Sequence, residues 1–147
     1  MSKELEGGET LKKVILASHG DLSKGMLKSL QMIIGETPCD LETFSLYPGE
    51  NASDYAKKLE EEACIHPEID YVIIADILGG SVHTAFIQIL QHPNIYLYSG
   101  MNLSLVLEMV MSQDDVKSNS KRYLSAGKDG ISLMTVDNIK QTESEEF

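Results

Sequence analysis

The sequence predicts an α/β fold: an open, doubly wound, mostly parallel sheet in the order 2-1-3-4, flanked by helices. Short β-branched runs alternate with segments of helical period from Val14 onward. The run 71–76 (YVIIAD) is apolar on both faces, as a strand covered by helices on either side must be. Gly35, Asn51, Gly79-Gly80 and Asn102 fall where one period gives way to the other. The 147 residues, 42% of them hydrophobic, suffice for one core, and no internal repeat divides them.

Residues 13–18 (KVILAS) form the first strand. After His19-Gly20-Asp21, the residues Leu22, Met26, Leu27, Leu30, Ile33 and Ile34 recur at helical spacing, and Gly35 closes that helix. Residues 41–46 (LETFSL) alternate as a second strand, Tyr47-Pro48-Gly49-Glu50 turns, and Asn51 or Ser53 caps a helix to about Cys64 that His66-Pro67 ends. The third strand, 71–76, runs into Leu78-Gly79-Gly80-Ser81 and a helix from about Val82 to Gln91. Pro93-Asn94 turns into a fourth strand at 95–98, and Asn102 opens a helix through Met111. Asp114-Asp115 starts a helical stretch to about Ala126, and 127–130 leads into 131–135, a candidate final strand. One domain is thus expected over 12–136, between a polar tail at 1–11 and an acidic tail at 137–147.

Composition excludes several classes of function. A formal charge of −11 repels nucleic-acid backbones and anionic lipid surfaces. No apolar run approaches the roughly 18 residues of a membrane span, and the first residues lack the apolar stretch of a signal peptide, which predicts a cytoplasmic protein. Cys39 and Cys64 lack CxxC spacing and read as small apolar fillers, and the histidines lack metal-ligand spacing, so neither a metal nor another cofactor is expected.

Ligands of open α/β sheets lie beyond the carboxyl ends of the strands, where strand order reverses. In the order 2-1-3-4 that point falls between strands one and three, so His19 and Asp76 face each other. A carboxylate on Nδ1–H fixes the imidazole tautomer and leaves the Nε2 lone pair free to act as a nucleophile. Gly79, Gly80 and Ser81 then offer amide donors, a hydroxyl and a helix start, a cradle for an anion. Together these residues point to a phosphoryl group on His19, held by the 79–81 turn, with Asp76 behind the ring. His83 reads as a helix-surface residue, with a second titrating group near the site as the alternative.

Four patches in this order carry a resemblance: Val14-Ile15-Leu16-Ala17-Ser18-His19-Gly20, Tyr47-Pro48-Gly49-Glu50-Asn51, Asp76-Ile77-Leu78-Gly79-Gly80-Ser81 and Ser99-Gly100-Met101-Asn102-Leu103. The chain resembles, over nearly its whole length, the mannose-type enzyme IIA family (EIIA-Man) of the phosphoenolpyruvate-dependent sugar phosphotransferase system (PTS). The resemblance implies that His19 accepts a phosphoryl group on Nε2 from the carrier protein HPr and passes it to a histidine-bearing IIB component. It also implies that Asp76 binds the other ring nitrogen, that Ser81 helps hold the phosphate, and that the membrane subunits IIC and IID, which contact the sugar, are met only indirectly. It further implies a homodimer that exchanges a C-terminal antiparallel strand, for which 131–135 is the candidate. Val82 and Ser104 stand where the family usually has proline, and the first change restores an N–H at the cradle.

Other readings share the fold. A response-regulator receiver needs an acidic pair after strand one, where this chain has Ser18-His19, and a flavodoxin-like module needs a hydroxyl-rich loop there. The phosphohistidine domain of the dihydroxyacetone kinase system typically has Ser after the histidine, in place of Gly20. A non-catalytic regulatory homologue has the Val82 change as its support.

Overall fold

A computed structural model describes residues 11–139. The tail at 1–10 and the acidic residues 140–147 lie outside the described residues. The elements run β1 (Lys12–His19), α1 (Leu22–Ile34), β2 (Asp40–Leu46), α2 (Ala52–Ile65), β3 (Asp70–Ala75), α3 (Ser81–Ile87), β4 (Ile95–Ser99), α4 (Leu103–Met111), a 3-10 turn at Lys117–Asn119 and α5 (Ser120–Asp129). The four strands are all parallel, in the order β2-β1-β3-β4.

The two central strands sort their side chains by the strand period of two. Ile15, Ala17, Tyr71, Ile73 and Ala75 face one layer, where Ala56 and Leu59 of α2 and Val82 and Phe86 of α3 cover them. Val14, Leu16, Val72 and Ile74 face the other, beneath Leu30 of α1, Val106 and Met109 of α4 and Tyr123 of α5. Both faces are therefore covered, which is why 71–76 reads as a continuous apolar run. Phe44 stacks on Tyr55 with ring centroids 4.5 Å apart, and Phe86 meets both rings edge-on.

Polar ties fix the ends of elements. Buried Lys12 donates from Nζ to the carbonyls of Met109 and Ser112 at the end of α4, where a cation complements the helix dipole. Burial lowers that ammonium's pKa. Asn51 Oδ1 accepts from Ser53 N at 2.9 Å and Asn102 Oδ1 from Leu105 N at 2.9 Å, so both asparagines act as helix caps. Asn94, also buried, donates to the carbonyls of Ala63, His66 and Ile69 and so pins the α2–β3 link.

Several boundaries differ from the sequence expectation. α3 stops at Ile87 rather than Gln91, because the chain tightens into i→i−3 bonds from Ile89 to Phe86 and from Leu90 to Ile87. The stretch after Asp114-Asp115 is a 3-10 turn, with Asp115 accepting from Ser118 N, before α5 begins at Ser120 and reaches Asp129. Residues 131–135 form no strand within one chain, and 136–139 make a single helical turn. The apolar side chains there, Ile131, Leu133, Met134 and Val136, are exposed. Cys64 is not a filler: α2 buries the stripe Ala52, Ala56, Leu59 and Ala63, and the next position turns to solvent. Cys39 is half-buried, and burial pushes its thiol pKa up.

Candidate functional site

The site forms where β1 and β3, neighbours in the sheet, send the chain in opposite directions, β1 through α1 to β2 and β3 through α3 to β4. His19 is the last residue of β1, and Asp76 follows the last residue of β3. Backbone bonds hold both ends. Asp76 N donates to Ala17 O at 3.0 Å, Gly20 N to Leu46 O at 2.8 Å and Met101 N to Ala75 O at 3.2 Å. Ser18, buried below the histidine, donates from Oγ to Gly20 O and accepts from Ser23 N at 2.8 Å, so the strand-to-helix turn that carries His19 is braced from inside.

A single carboxylate oxygen sets the imidazole. Asp76 Oδ2 accepts from the His19 backbone N–H and from His19 Nδ1–H, each at 2.8 Å, while Oδ1 accepts from Ile77 N at 2.9 Å. Nδ1 therefore carries the proton, and the Nε2 lone pair points the other way, toward Ser81 Oγ at 3.0 Å. The His19 side chain is 47% exposed and that of Asp76 only 10%, so the carboxylate is shielded while the imidazole reaches solvent. Burial acts to raise the Asp76 carboxyl, but the bonds from the His19 backbone and ring and from Ile77 N hold it below the usual carboxylate range.

The turn after Asp76 brings Gly80 and Ser81 against the ring, with Gly79 preceding them. Gly79 takes φ +78°, which side chains other than glycine rarely adopt. Gly80 is needed for a different reason: a Cβ there would lie 2.9 Å from Ile77 Cγ2 and 3.2 Å from His19 Cε1. Ser81, the first residue of α3, is exposed and directs its hydroxyl at Nε2. All five residues singled out in the sequence thus meet at one point.

The structure places His83 beside the glycine turn, nearer the site than a plain helix-surface position, and it adds features that the sequence did not show. His83 is half-buried rather than a plain surface residue, and its Nδ1 accepts from Gly79 N at 3.2 Å. Its place three residues after the helix cap, the reach-back position of a capping box, is the signal that marks it. Beside Ser81 a groove of about 820 Å³ opens between α2 and α3, lined by Leu46, Glu50, Asn51, Lys57 and Thr84 among others. On the opposite side, Tyr47 OH donates to Asp21 Oδ1 at 2.5 Å and accepts from Lys24 Nζ at 2.6 Å. Leu22, Ile77 and Leu78 stand exposed around His19. Among the described residues no group of three or more His, Cys, Asp or Glu is placed to hold a metal ion, and no helix is long and apolar enough to cross a membrane.

Fold and site together define a histidine-centred domain on a doubly wound parallel sheet, its imidazole held between a carboxylate and a hydroxyl at the switch point. Residues 13–125 match the EIIA-man family, described as the PTS system fructose IIA component. The chain is 35% identical over 106 residues to the sorbose-specific EIIA component of the PTS from Klebsiella pneumoniae, a match covering 71% of this chain and 77% of that protein. Among solved structures, a Klebsiella pneumoniae protein assigned as a phosphoenolpyruvate-dependent sugar PTS permease superposes with a TM-score of 0.76 at 28% identity, covering 88% of this chain and 96% of that one. The mannose/sorbose-specific IIA subunit from Enterococcus faecalis shares the fold, with a TM-score of 0.74 at 23% identity over 86% of this chain and 97% of its own. The chain belongs to the mannose-type EIIA family and is a IIA component of the sugar phosphotransferase system.

Proposed function

We propose that the chain is a cytoplasmic phosphohistidine carrier, formed by a domain over residues 12–136, which takes a phosphoryl group from phospho-HPr on His19 and hands it to a IIB component. The observation that carries this reading is the pair of bonds on one ring, Nδ1–H to Asp76 and Nε2 facing Ser81. In the forward step the Nε2 lone pair attacks phosphorus, the P–N bond of the donor phosphohistidine breaks, and the donor nitrogen keeps the electron pair. Nδ1 keeps its proton, so positive charge develops on the His19 ring, and the Asp76 carboxylate stabilises it. Ser81 releases Nε2 and donates to a phosphoryl oxygen, with amides of the 79–81 turn as further donors. Transfer to IIB reverses the same movements. Both donor and acceptor are phosphohistidines, so alignment of two rings across an interface does most of the work.

The carrier acts as a homodimer in this reading, with 131–135 of each copy pairing against β4 of the other. Its support is twofold. β4 is one of the two edge strands of the sheet, and Ile131, Leu133 and Met134 are exposed in a single chain.

Incubation with phosphoenolpyruvate, enzyme I and HPr tests the reading by intact mass. The expected product carries one acid-labile, alkali-stable phosphate that His19→Ala abolishes. A folded wild-type chain that takes no phosphate, while another IIA domain is labelled in the same mixture, contradicts it.

A further inference from the structure

Each of the residues 79, 80 and 81 has its own tie, and the three ties form a chain that ends on the reactive nitrogen. Gly79 N–H donates to His83 Nδ1 at 3.2 Å. Gly80 lies so close to the His19 ring that a Cβ would stand 3.2 Å from Cε1. Ser81 Oγ is 3.0 Å from Nε2. Two glycines in series are the least restrained link a backbone can have, and this chain has Val82, which sets no φ, at the next position. The glycine pair is tied to the first turn of α3 twice: Gly80 O accepts from Thr84 N at 2.9 Å, and Gly79 N–H donates to His83 Nδ1, the one of the two ties that a side chain makes.

We infer that His83 is a positioning residue for transfer at His19, a latch on the glycine turn that closes when its imidazole is neutral and opens when it is protonated. This rests on the carrier reading above. The chemistry of the latch is one-sided. Nδ1 accepts the Gly79 N–H only when it bears no proton, which places the His83 proton on Nε2. Protonation turns Nδ1 into a donor facing another donor, so the bond gives way to repulsion, and Gly79 loses its side-chain tie while Gly80 O keeps Thr84 N. The seat of the His19 ring and the aim of Ser81 then depend on pH through a group other than His19 itself.

α2, β1, β3 and β4 pack against α3, and Phe44 of β2 meets its Phe86 edge-on. On the site's end α2 and the turn before it bring Lys57 and Glu50 to the groove, β1 brings His19, and Asp76 follows β3. β4 carries only Tyr96 and Tyr98 as ionisable groups. His83 itself has the Gly79 amide as its partner on the Nδ1 side.

Two variants separate the latch from packing. His83→Asn places Oδ1 where Nδ1 stands and accepts without titrating, whereas His83→Phe keeps an aromatic ring and removes the acceptor. In the unphosphorylated protein, the Gly79 amide proton shift is expected to follow the His83 titration in wild type and to lose that titration in His83→Asn, which keeps His19. In transfer from phospho-HPr at about pH 8, His83→Asn should match wild type and His83→Phe should be about 3–10-fold slower, the worth of one neutral hydrogen bond. As the pH is lowered through the step that the Gly79 shift reports, the ratio of wild-type to His83→Asn rate should fall by a similar factor of about 3–10. A Gly79 shift blind to His83 protonation, or a rate ratio constant with pH, overturns the inference. If Gly79 follows His83 while wild type takes no phosphate, the carrier reading fails and the latch stands.

Discussion

His19 gives two of its three nitrogens to Asp76 Oδ2, through its backbone N–H and through Nδ1–H, so removing that carboxylate acts on the ring's orientation and on its charge at once. Asp76→Asn keeps the shape and loses the charge. Transfer to and from His19 should slow about 10–100-fold, matching a charge-assisted hydrogen bond of about 1.5–3 kcal/mol, as rapid-quench kinetics would measure. The stability effect has its own pH signature. Because the folded protein holds the Asp76 carboxyl below its usual value, the carboxylate stabilises the fold above the unfolded pKa of about 4, and that contribution is lost as pH falls through the lower folded value. Thermal melts of wild type and Asp76→Asn should differ near neutrality and converge in acid. Gly80→Ala tests the close approach of the turn. The added Cβ meets Ile77 Cγ2 at 2.9 Å and the ring at 3.2 Å. Ile77 is exposed and free to rotate away, so the melt should change little, while displacement of the ring should slow transfer about tenfold.

The strands and the helix starts are the elements most legible in the sequence. Residues 71–76 lack alternation because helices cover both faces of β3, and that same burial makes the run readable as a strand. Asn102 announces its helix by residue type, and of the two candidate caps Asn51 and Ser53 the structure uses Asn51, since a side-chain oxygen on a free N–H works through local geometry. His19 and Asp76 are readable as a pair because parallel order fixes which strand ends are neighbours. What the sequence hides depends on tertiary context. α3 ends early where i→i−3 bonds replace helical ones, although Gln88 and Gln91 are good helix formers. The His83 bond to Gly79 is hidden because the residue type fits a helix surface equally well. Asn102 shows how a local signal can carry a second task, for its Nδ2 also donates to Gly127 O at 2.9 Å and ties α5 to the start of α4. Asn102→Ala loses the cap and the tie together. Denaturant unfolding should report about 2 kcal/mol less stability, with the larger share from the cap.

At the scale of the molecule, the exposed apolar residues at 131–136 and the open edge at β4 belong to one question, the oligomeric state. Truncation after Gly130 should convert the proposed dimer to a monomer in sedimentation, and a dimer that survives it places the interface elsewhere. The proposed strand exchange would leave no trace in a single chain, because a strand that pairs only with another copy has no ladder of its own. The proposed transfer between proteins asks that Nε2 of His19 be reachable, and its support is a ring about half exposed whose Nε2 faces Ser81. The most direct measurement is therefore heteronuclear NMR of the phosphorylated, nitrogen-15-labelled protein, which reads which ring nitrogen is bonded to phosphorus. The account predicts a phosphorus–nitrogen coupling to Nε2 of His19, with a proton retained on Nδ1. A phosphate on Nδ1, or on any residue other than His19, would contradict it.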